Sequence, residues 1–254
     1  MDLKDKVVLV SGGGSGLGAQ TAKTLAQNGM RVAIFDRSLD NIGELIQTFD
    51  ILAFNGDVQD EAAVQFAIQE IIAKWGAIHV NLNCAGVADA GRIVGKEGPF
   101  SMATFQKVIG INLIGTFNVM RLVANQMAKQ TPINEDSEGG VIINTASVAA
   151  FEGQIGQAAY SASKGGVAAM TLPAARELAK FGIRVVTIAP GIMSTPMVAH
   201  MPEKVQESLK HSIPFPSRLG KSEEYADLVK HIIENRYLNG TTIRLDAAVR
   251  MTSQ

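Results

Sequence analysis

Tyr160 and Lys164 stand four positions apart in a stretch of small residues, Ala158 to Met170, that meets no proline until Pro173. That composition predicts a tightly packed helix, despite modest helix propensity. At i and i+4 the phenol and the ammonium share one face. A free tyrosine, with a pKa of about 10, is a poor acid or base at neutral pH. A neighbouring cation is expected to draw that value down towards the working range. Thirteen positions before Tyr160, Ser147 follows the β-branched run Val141-Ile142-Ile143, the pattern of a buried strand whose C-terminal end opens into a site. A serine placed there can donate a hydrogen bond to a substrate oxygen as charge develops on it. Serine, tyrosine and lysine together suit proton transfer between an alcohol and its ketone. A Tyr–Lys pair at helical spacing is ordinarily just a pair of surface neighbours, so the reading leans on what surrounds it.

The strongest support lies near the N-terminus. The strand Lys6–Val10 runs directly into Ser11-Gly12-Gly13-Gly14-Ser15-Gly16-Leu17-Gly18, and a helical pattern, Ala19–Asn28, then stops at Gly29. Strand, glycine loop and helix set backbone N–H groups and a helix N-terminus against an anion, and a dinucleotide pyrophosphate is the expected occupant. A second strand, Arg31–Phe35, ends in Asp36, eighteen residues past Gly18. A carboxylate there accepts hydrogen bonds from a free ribose 2′-hydroxyl and repels a 2′-phosphate. Arg37 could attract that phosphate instead, but reads more simply as a solvated loop charge. NAD is expected over NADP.

These groups require elements to hold them. Further strands are expected at Ile51–Phe54, Ala77–Leu82, Ile183–Ile188 and Thr241–Leu245, with helices at Asp60–Trp75, from about Thr104 to Lys129, and at Ser222–Glu234. Asp57 can cap the first of these helices. Residues 87–103 and 130–140 read as loops. Residues 197–213 read as a partly helical, Met-containing lid over an apolar substrate, and the apolar tail Ala247–Met251 is expected to be buried against the body or a neighbouring subunit. Alternating strands and helices demand a mostly parallel sheet, a doubly wound α/β architecture with helices on both faces.

With 254 residues and 46% hydrophobic composition, one core and one domain are expected. A net charge of −1 offers no broad basic surface for nucleic acid. No apolar run is expected to reach the length needed to cross a bilayer, and the N-terminus enters a strand without a leader pattern. The single cysteine, Cys84, excludes an internal disulfide and fits a reducing compartment; without a basic neighbour in sequence it is not expected to be reactive. The four histidines, His79, His200, His211 and His231, lack paired ligand spacing, so no metal is expected. The cytoplasm is the expected location, or the mitochondrial matrix.

On these motifs the chain resembles the classical short-chain dehydrogenase/reductase family over essentially its whole length. Tyr160-Ser161-Ala162-Ser163-Lys164 matches the family's Tyr-x-x-x-Lys, Ser147 its serine, and Gly12, Gly16 and Gly18 its Thr-Gly-x-x-x-Gly-x-Gly, with Ser11 replacing the threonine. Asn83-Cys84-Ala85-Gly86 matches Asn-Asn-Ala-Gly except at Cys84. The resemblance implies a Rossmann-type, seven-stranded parallel sheet in the order 3-2-1-4-5-6-7. It implies cofactor contacts from Gly12, Ser15, Leu17, Asp36, Asp57, Val58, Cys84, Tyr160, Lys164, Met193 and Thr195. It makes Tyr160 the proton carrier, Lys164 its partner and a ribose ligand, and Ser147 the oxygen-binding group. Asn112 would bend its helix and hold a relay water. Within the family, INTASVAAFEGQIGQAAYSASKGG, FNVMRLVA, PFPSRLG and RLDAAVRM resemble the NAD-dependent type-2 3-hydroxyacyl-CoA dehydrogenase branch, which also oxidises hydroxysteroids. That branch implies Gln157 as a substrate contact, loop 87–103 as an acyl-CoA entrance, and a homotetramer, although no basic cluster for the CoA phosphates stands out. The alternatives are an NADPH-dependent 3-oxoacyl-carrier-protein reductase, a hydroxysteroid dehydrogenase and, remotely, a non-catalytic dinucleotide-binding scaffold.

Overall fold

Strands built of unbroken Val and Ile must be covered on both faces, and helices with one apolar side supply the cover. A computed structural model describes residues 1–199, 207, 209, 210 and 212–253. Seven strands form one sheet: β1 (Val7–Ser11), β2 (Arg31–Asp36), β3 (Ile51–Asn55), β4 (Val80–Asn83), β5 (Gly140–Thr145), β6 (Ile183–Pro190) and β7 (Thr242–Leu245). Their order is 3-2-1-4-5-6-7 and every pairing is parallel. The order reverses beside β1, where Ser11 lies opposite Phe35 of β2 on one side and Asn83 of β4 on the other.

Successive side chains of a strand point to opposite faces, and β1 divides accordingly. Val8 and Val10 join Val32, Ile34, Leu25 and Ile232 in one core, while Val7 and Leu9 join Phe35, Val64, Ile71 and Val123 in the other. Helices α1 (Gly16–Gln27) and α8 (Ser222–Glu234) cover the first face, packed on each other. The second face is covered by α3 (Glu61–Trp75), α5 (Thr116–Met127) and α6 (Ala158–Leu178).

Four local expectations change. Asp60, not Asp57, caps α3, its carboxylate accepting from the Ala62 and Ala63 amides at 2.9 and 3.1 Å. Asp57 instead accepts from the Gln59 amide. The long helix spans 102–127 in three parts, α4 (Met102–Ile109), a π-helical turn Gly110–Gly115 and α5. By length and composition this run could cross a bilayer, contrary to the expectation, yet 67% of its most apolar stretch is buried inside the protein. The loop 87–103 contains a small antiparallel ladder, Val94–Gly95 with Gly98–Pro99, and its last residues begin α4.

The expected lid, 197–213, is described only in part. Pro196–Ala199 forms a helical turn, whereas residues 200–206, 208 and 211, with His200 and His211, lie outside the described residues. The C-terminal tail turns back onto the body and Val249 is completely buried.

Candidate active site

The C-terminal ends of the strands surround a cavity of about 550 Å³. It receives Gly12, Ser15 and Leu17 from the β1–α1 turn, Asp36 and Arg37 from the end of β2, and Asp57 and Val58 from the end of β3. Cys84 follows β4, Ser147 follows β5, Gln157, Tyr160 and Lys164 come from the start of α6, and Met193 and Thr195 follow β6. Of the expected site residues only Asn112 does not line it. This is the crevice at the reversal of strand order, where doubly wound sheets bind ligands.

The dinucleotide expected from the sequence can be tested against the glycine turn. A Cβ on Gly12 would lie 2.3 Å from the Ala85 amide nitrogen, and one on Gly18 would lie 2.1 Å from the Gly12 carbonyl oxygen. Gly12 and Gly16 have φ of +73° and +53°, which side-chain-bearing residues rarely adopt. Ser15 begins α1 without its side chain capping any amide, so the helix N-terminus and a free hydroxyl face the cavity together. Such a cradle fits a pyrophosphate. Asp36 braces it, one carboxylate oxygen accepting from the Gly14 amide at 2.8 Å and the other from the Ser38 amide at 3.1 Å. Arg37 is exposed yet lines the same cavity, so it is more than a distant solvated charge. Below them, Ser11 donates to Asn83 at 2.9 Å and Asn83 donates to Asn81 and Asn144 at 2.9 Å. This buried amide network locks the ends of β1, β4 and β5 in register.

The catalytic cluster occupies the other end. Ser147 accepts from the Ala149 amide at 3.1 Å and hydrogen-bonds Tyr160. Lys164 is buried; its ammonium donates to the Thr145 carbonyl at 2.8 Å and lies 5.9 Å from the centre of the Tyr160 ring. Burial moves both groups towards their uncharged forms. It raises the Tyr160 phenol above its usual 10, only partly offset by the Ser147 hydrogen bond, and pushes Lys164 down to about 8. The expected depression of the tyrosine by the lysine is therefore corrected. Lys164 is itself desolvated and points at Thr145, so its charge does not outweigh the loss of water around the phenol.

Asn112 sits within the π-helical turn, fully buried. Its carboxamide accepts from the Val87 amide at 2.8 Å and donates to the Val87 carbonyl at 2.9 Å and to Ser163 at 3.0 Å. The side chain thus ties the segment after β4 to α6, and does not itself contact Lys164. Gly86 keeps the space beside both open: a Cβ there would lie 3.2 Å from Asn112 Oδ1 and 3.4 Å from Lys164 Nζ.

Sequence reasoning missed two contributors. Tyr225 of α8, completely buried, shares a 2.7 Å hydrogen bond with Thr145, whose carbonyl holds Lys164. Nothing local marks it, because it reaches Thr145 across eighty residues of sequence. Cys84 Sγ lies 3.4 Å from Thr145 Oγ1 and 3.5 Å from the Tyr225 hydroxyl. Burial pushes that thiol up, away from the reactive thiolate. The second, Met251, belongs to the tail and lines the cavity. Among the described residues no group of three or more His, Cys, Asp or Glu side chains could hold a metal ion.

A family model described as short chain dehydrogenase matches residues 6–206. A 3-hydroxyacyl-CoA dehydrogenase type-2 of Bos taurus is 50% identical over 253 residues, covering 98% of this chain and 97% of that one. The Homo sapiens protein of the same name is 49% identical over 255 residues, with the same coverage. The crystal structure of 3-hydroxyacyl-CoA dehydrogenase type-2 from Mycobacterium avium superimposes with a TM-score of 0.90 at 39% identity, covering 98% of this chain and 97% of that one.

Proposed function

The chain belongs to the short-chain dehydrogenase family, and from that premise we propose that it interconverts 3-hydroxyacyl-CoA and 3-oxoacyl-CoA with NAD. The observation that carries the chemistry is that Ser147, Tyr160 and Lys164 line the same cavity as the glycine cradle. The substrate class rests on the likeness to 3-hydroxyacyl-CoA dehydrogenases of type 2 at about half identity along nearly the whole chain.

The family uses NAD or NADP, and such a cofactor, when bound, supplies the acceptor or donor of hydride. In oxidation, Tyr160 as phenolate takes the hydroxyl proton while the hydrogen on the adjacent carbon leaves with its electron pair. The alcohol is thereby oxidised to the ketone by loss of two electrons, which a bound dinucleotide would accept as the hydride. Ser147 donates to the substrate oxygen and holds it against Tyr160. In reduction Tyr160, as the protonated phenol, gives its proton to the carbonyl oxygen. Lys164 holds the ribose and stabilises the phenolate when it forms; Asn112 and Tyr225 keep α6 and Thr145 in place.

Asp36, at the end of β2 and lining the cavity, supports NAD, because a carboxylate there would repel a 2′-phosphate. Arg37 favours a second reading, the NADPH-dependent 3-oxoacyl-carrier-protein reductase, and a hydroxysteroid or other secondary alcohol is the third. The reading extends to a single domain, a homotetramer, and a cytoplasmic or mitochondrial-matrix location. The test is oxidation of NADH and of NADPH, separately, with acetoacetyl-CoA as acceptor. An advantage for NADH of at least about tenfold in kcat/KM, or roughly 1.4 kcal/mol, is expected; NADPH-only turnover would hand the site to the second reading. Tyr160→Phe abolishes turnover, and a biological role that survived this change would favour a scaffold.

A further inference from the structure

The last residues of the chain form part of the substrate site, and we infer that Met251 sets how much acyl chain the site admits. Of the described residues past β7, Met251 is the one that lines the cavity. This inference rests on the proposed reaction for its substrate class.

The tail is built to hold that side chain in place. Ala247 and Ala248 adopt φ of 49° and 62°, left-handed conformations that non-glycine residues keep only when their surroundings enforce them. Asp246 accepts from the Ala248 amide at 3.1 Å, its carbonyl accepts from the Val249 amide at 2.9 Å, and Val249 is completely buried. Beyond this turn the tail is stitched to the segment joining Ser147 to Gln157. The Met251 amide donates to Glu152 at 3.3 Å, and the Ile155 amide donates to the Ser253 carbonyl at 3.0 Å.

Charges complete the fastening. Glu152 receives Arg244 through both carboxylate oxygens at 2.8 and 3.1 Å, and Arg250 Nε lies 3.2 Å away. Asp246 takes Arg244 Nε at 2.6 Å and Arg250 at 3.2 Å. Two guanidinium groups and two carboxylates thus join β7, the tail and the segment that follows Ser147. A network of this kind holds geometry better than separate surface pairs do.

Met251 is therefore tied through its amide to the segment between Ser147 and Gln157, and lines the same cavity as both. Its unbranched thioether is apolar and adaptable, suited to an alkyl chain beyond the carbon that reacts. Glu152 is a positioning residue that acts through it.

The test is kcat/KM for 3-oxoacyl-CoA substrates from four to sixteen carbons, with NADH dissociation constants measured alongside. Met251→Ala is expected to raise the ratio of long-chain to four-carbon activity by about tenfold, and Met251→Trp to lower it similarly, the scale of one methylene in an apolar pocket. NADH affinity stays unchanged in both. Glu152→Gln shifts the KM for long chains while leaving kcat on the four-carbon substrate near wild type. A chain-length profile unchanged within twofold in both Met251 variants overturns the inference. If the wild type turns over no thioester, the proposed reaction has failed instead, and the same variants on secondary alcohols of graded length then decide the role of Met251.

Discussion

Lys164 is a buried cation whose location serves chemistry at the expense of the fold, and removing its charge should stabilise the protein. Desolvation lowers its pKa from 10.5 to about 8. Each tenfold change in the proton equilibrium is worth about 1.4 kcal/mol, so keeping the ammonium charged at pH 7 costs on the order of 3 kcal/mol. Lys164→Met keeps the length and apolar stem of the side chain. It forfeits the 2.8 Å hydrogen bond to the Thr145 carbonyl, a loss of about 1 kcal/mol. The net expectation is a gain of roughly 2 kcal/mol at pH 7 with complete loss of activity. The sign with pH follows from linkage. A cation whose folded pKa is depressed weakens the fold fully below about 8, and that penalty disappears as the unfolded chain also loses its proton near 10.5. Wild type should therefore gain stability relative to Lys164→Met between these values, closing the gap by about pH 10. Urea unfolding of both proteins at pH 7, 8, 9 and 10 measures it. A methionine variant less stable than wild type at pH 7, or a difference that does not move with pH, would refute the reasoning.

Two further outcomes follow from individual contacts. His79 accepts from the Val7 amide at 3.0 Å, and burial with Lys6 and Arg31 nearby pushes its pKa down to about 4. It is held neutral, so its contribution is full above pH 6.5 and is lost as pH falls from there towards 4; because the ring is only half-buried and its charge partly screened, His79→Gln should flatten the acid side of the stability curve by only about 1–2 kcal/mol, read by urea unfolding at pH 7 and 4.5. Gly18→Ala drives a methyl against the Gly12 carbonyl, which would lie 2.1 Å away; it should cost about 1–3 kcal/mol of stability and weaken NADH binding at least about tenfold by fluorescence titration, and an unchanged dissociation constant would remove the glycine turn from the cofactor site.

Much of this was legible in the sequence because it is local. The β-branched runs at 7–10, 141–143 and 183–188 mark strands buried on both faces. The glycines at 12, 16 and 18 mark a turn that tolerates no Cβ, and Tyr160 and Lys164 share a helix face by spacing alone. Each of these depends on neighbours within one turn or one strand, so residue order is enough to reveal it. Locality also misled at close range: Asp57 and Asp60 both suit a helix start, and backbone geometry chose Asp60.

Tertiary structure decided what depends on residues far apart in the chain. Thr145 meets Tyr225 and Cys84, and Glu152 meets Arg244 and the Met251 amide, only after the sheet has brought β4, β5, β7 and α8 together. The π-helical turn around Asn112 answers to its contacts with Val87 and Ser163, which no helical periodicity records. The protonation of Tyr160 and Lys164 follows the same rule. Their spacing promised a depressed phenol, but the burial that raises it is a property of the assembled cavity, since the dielectric around a group is set by everything that displaces water from it.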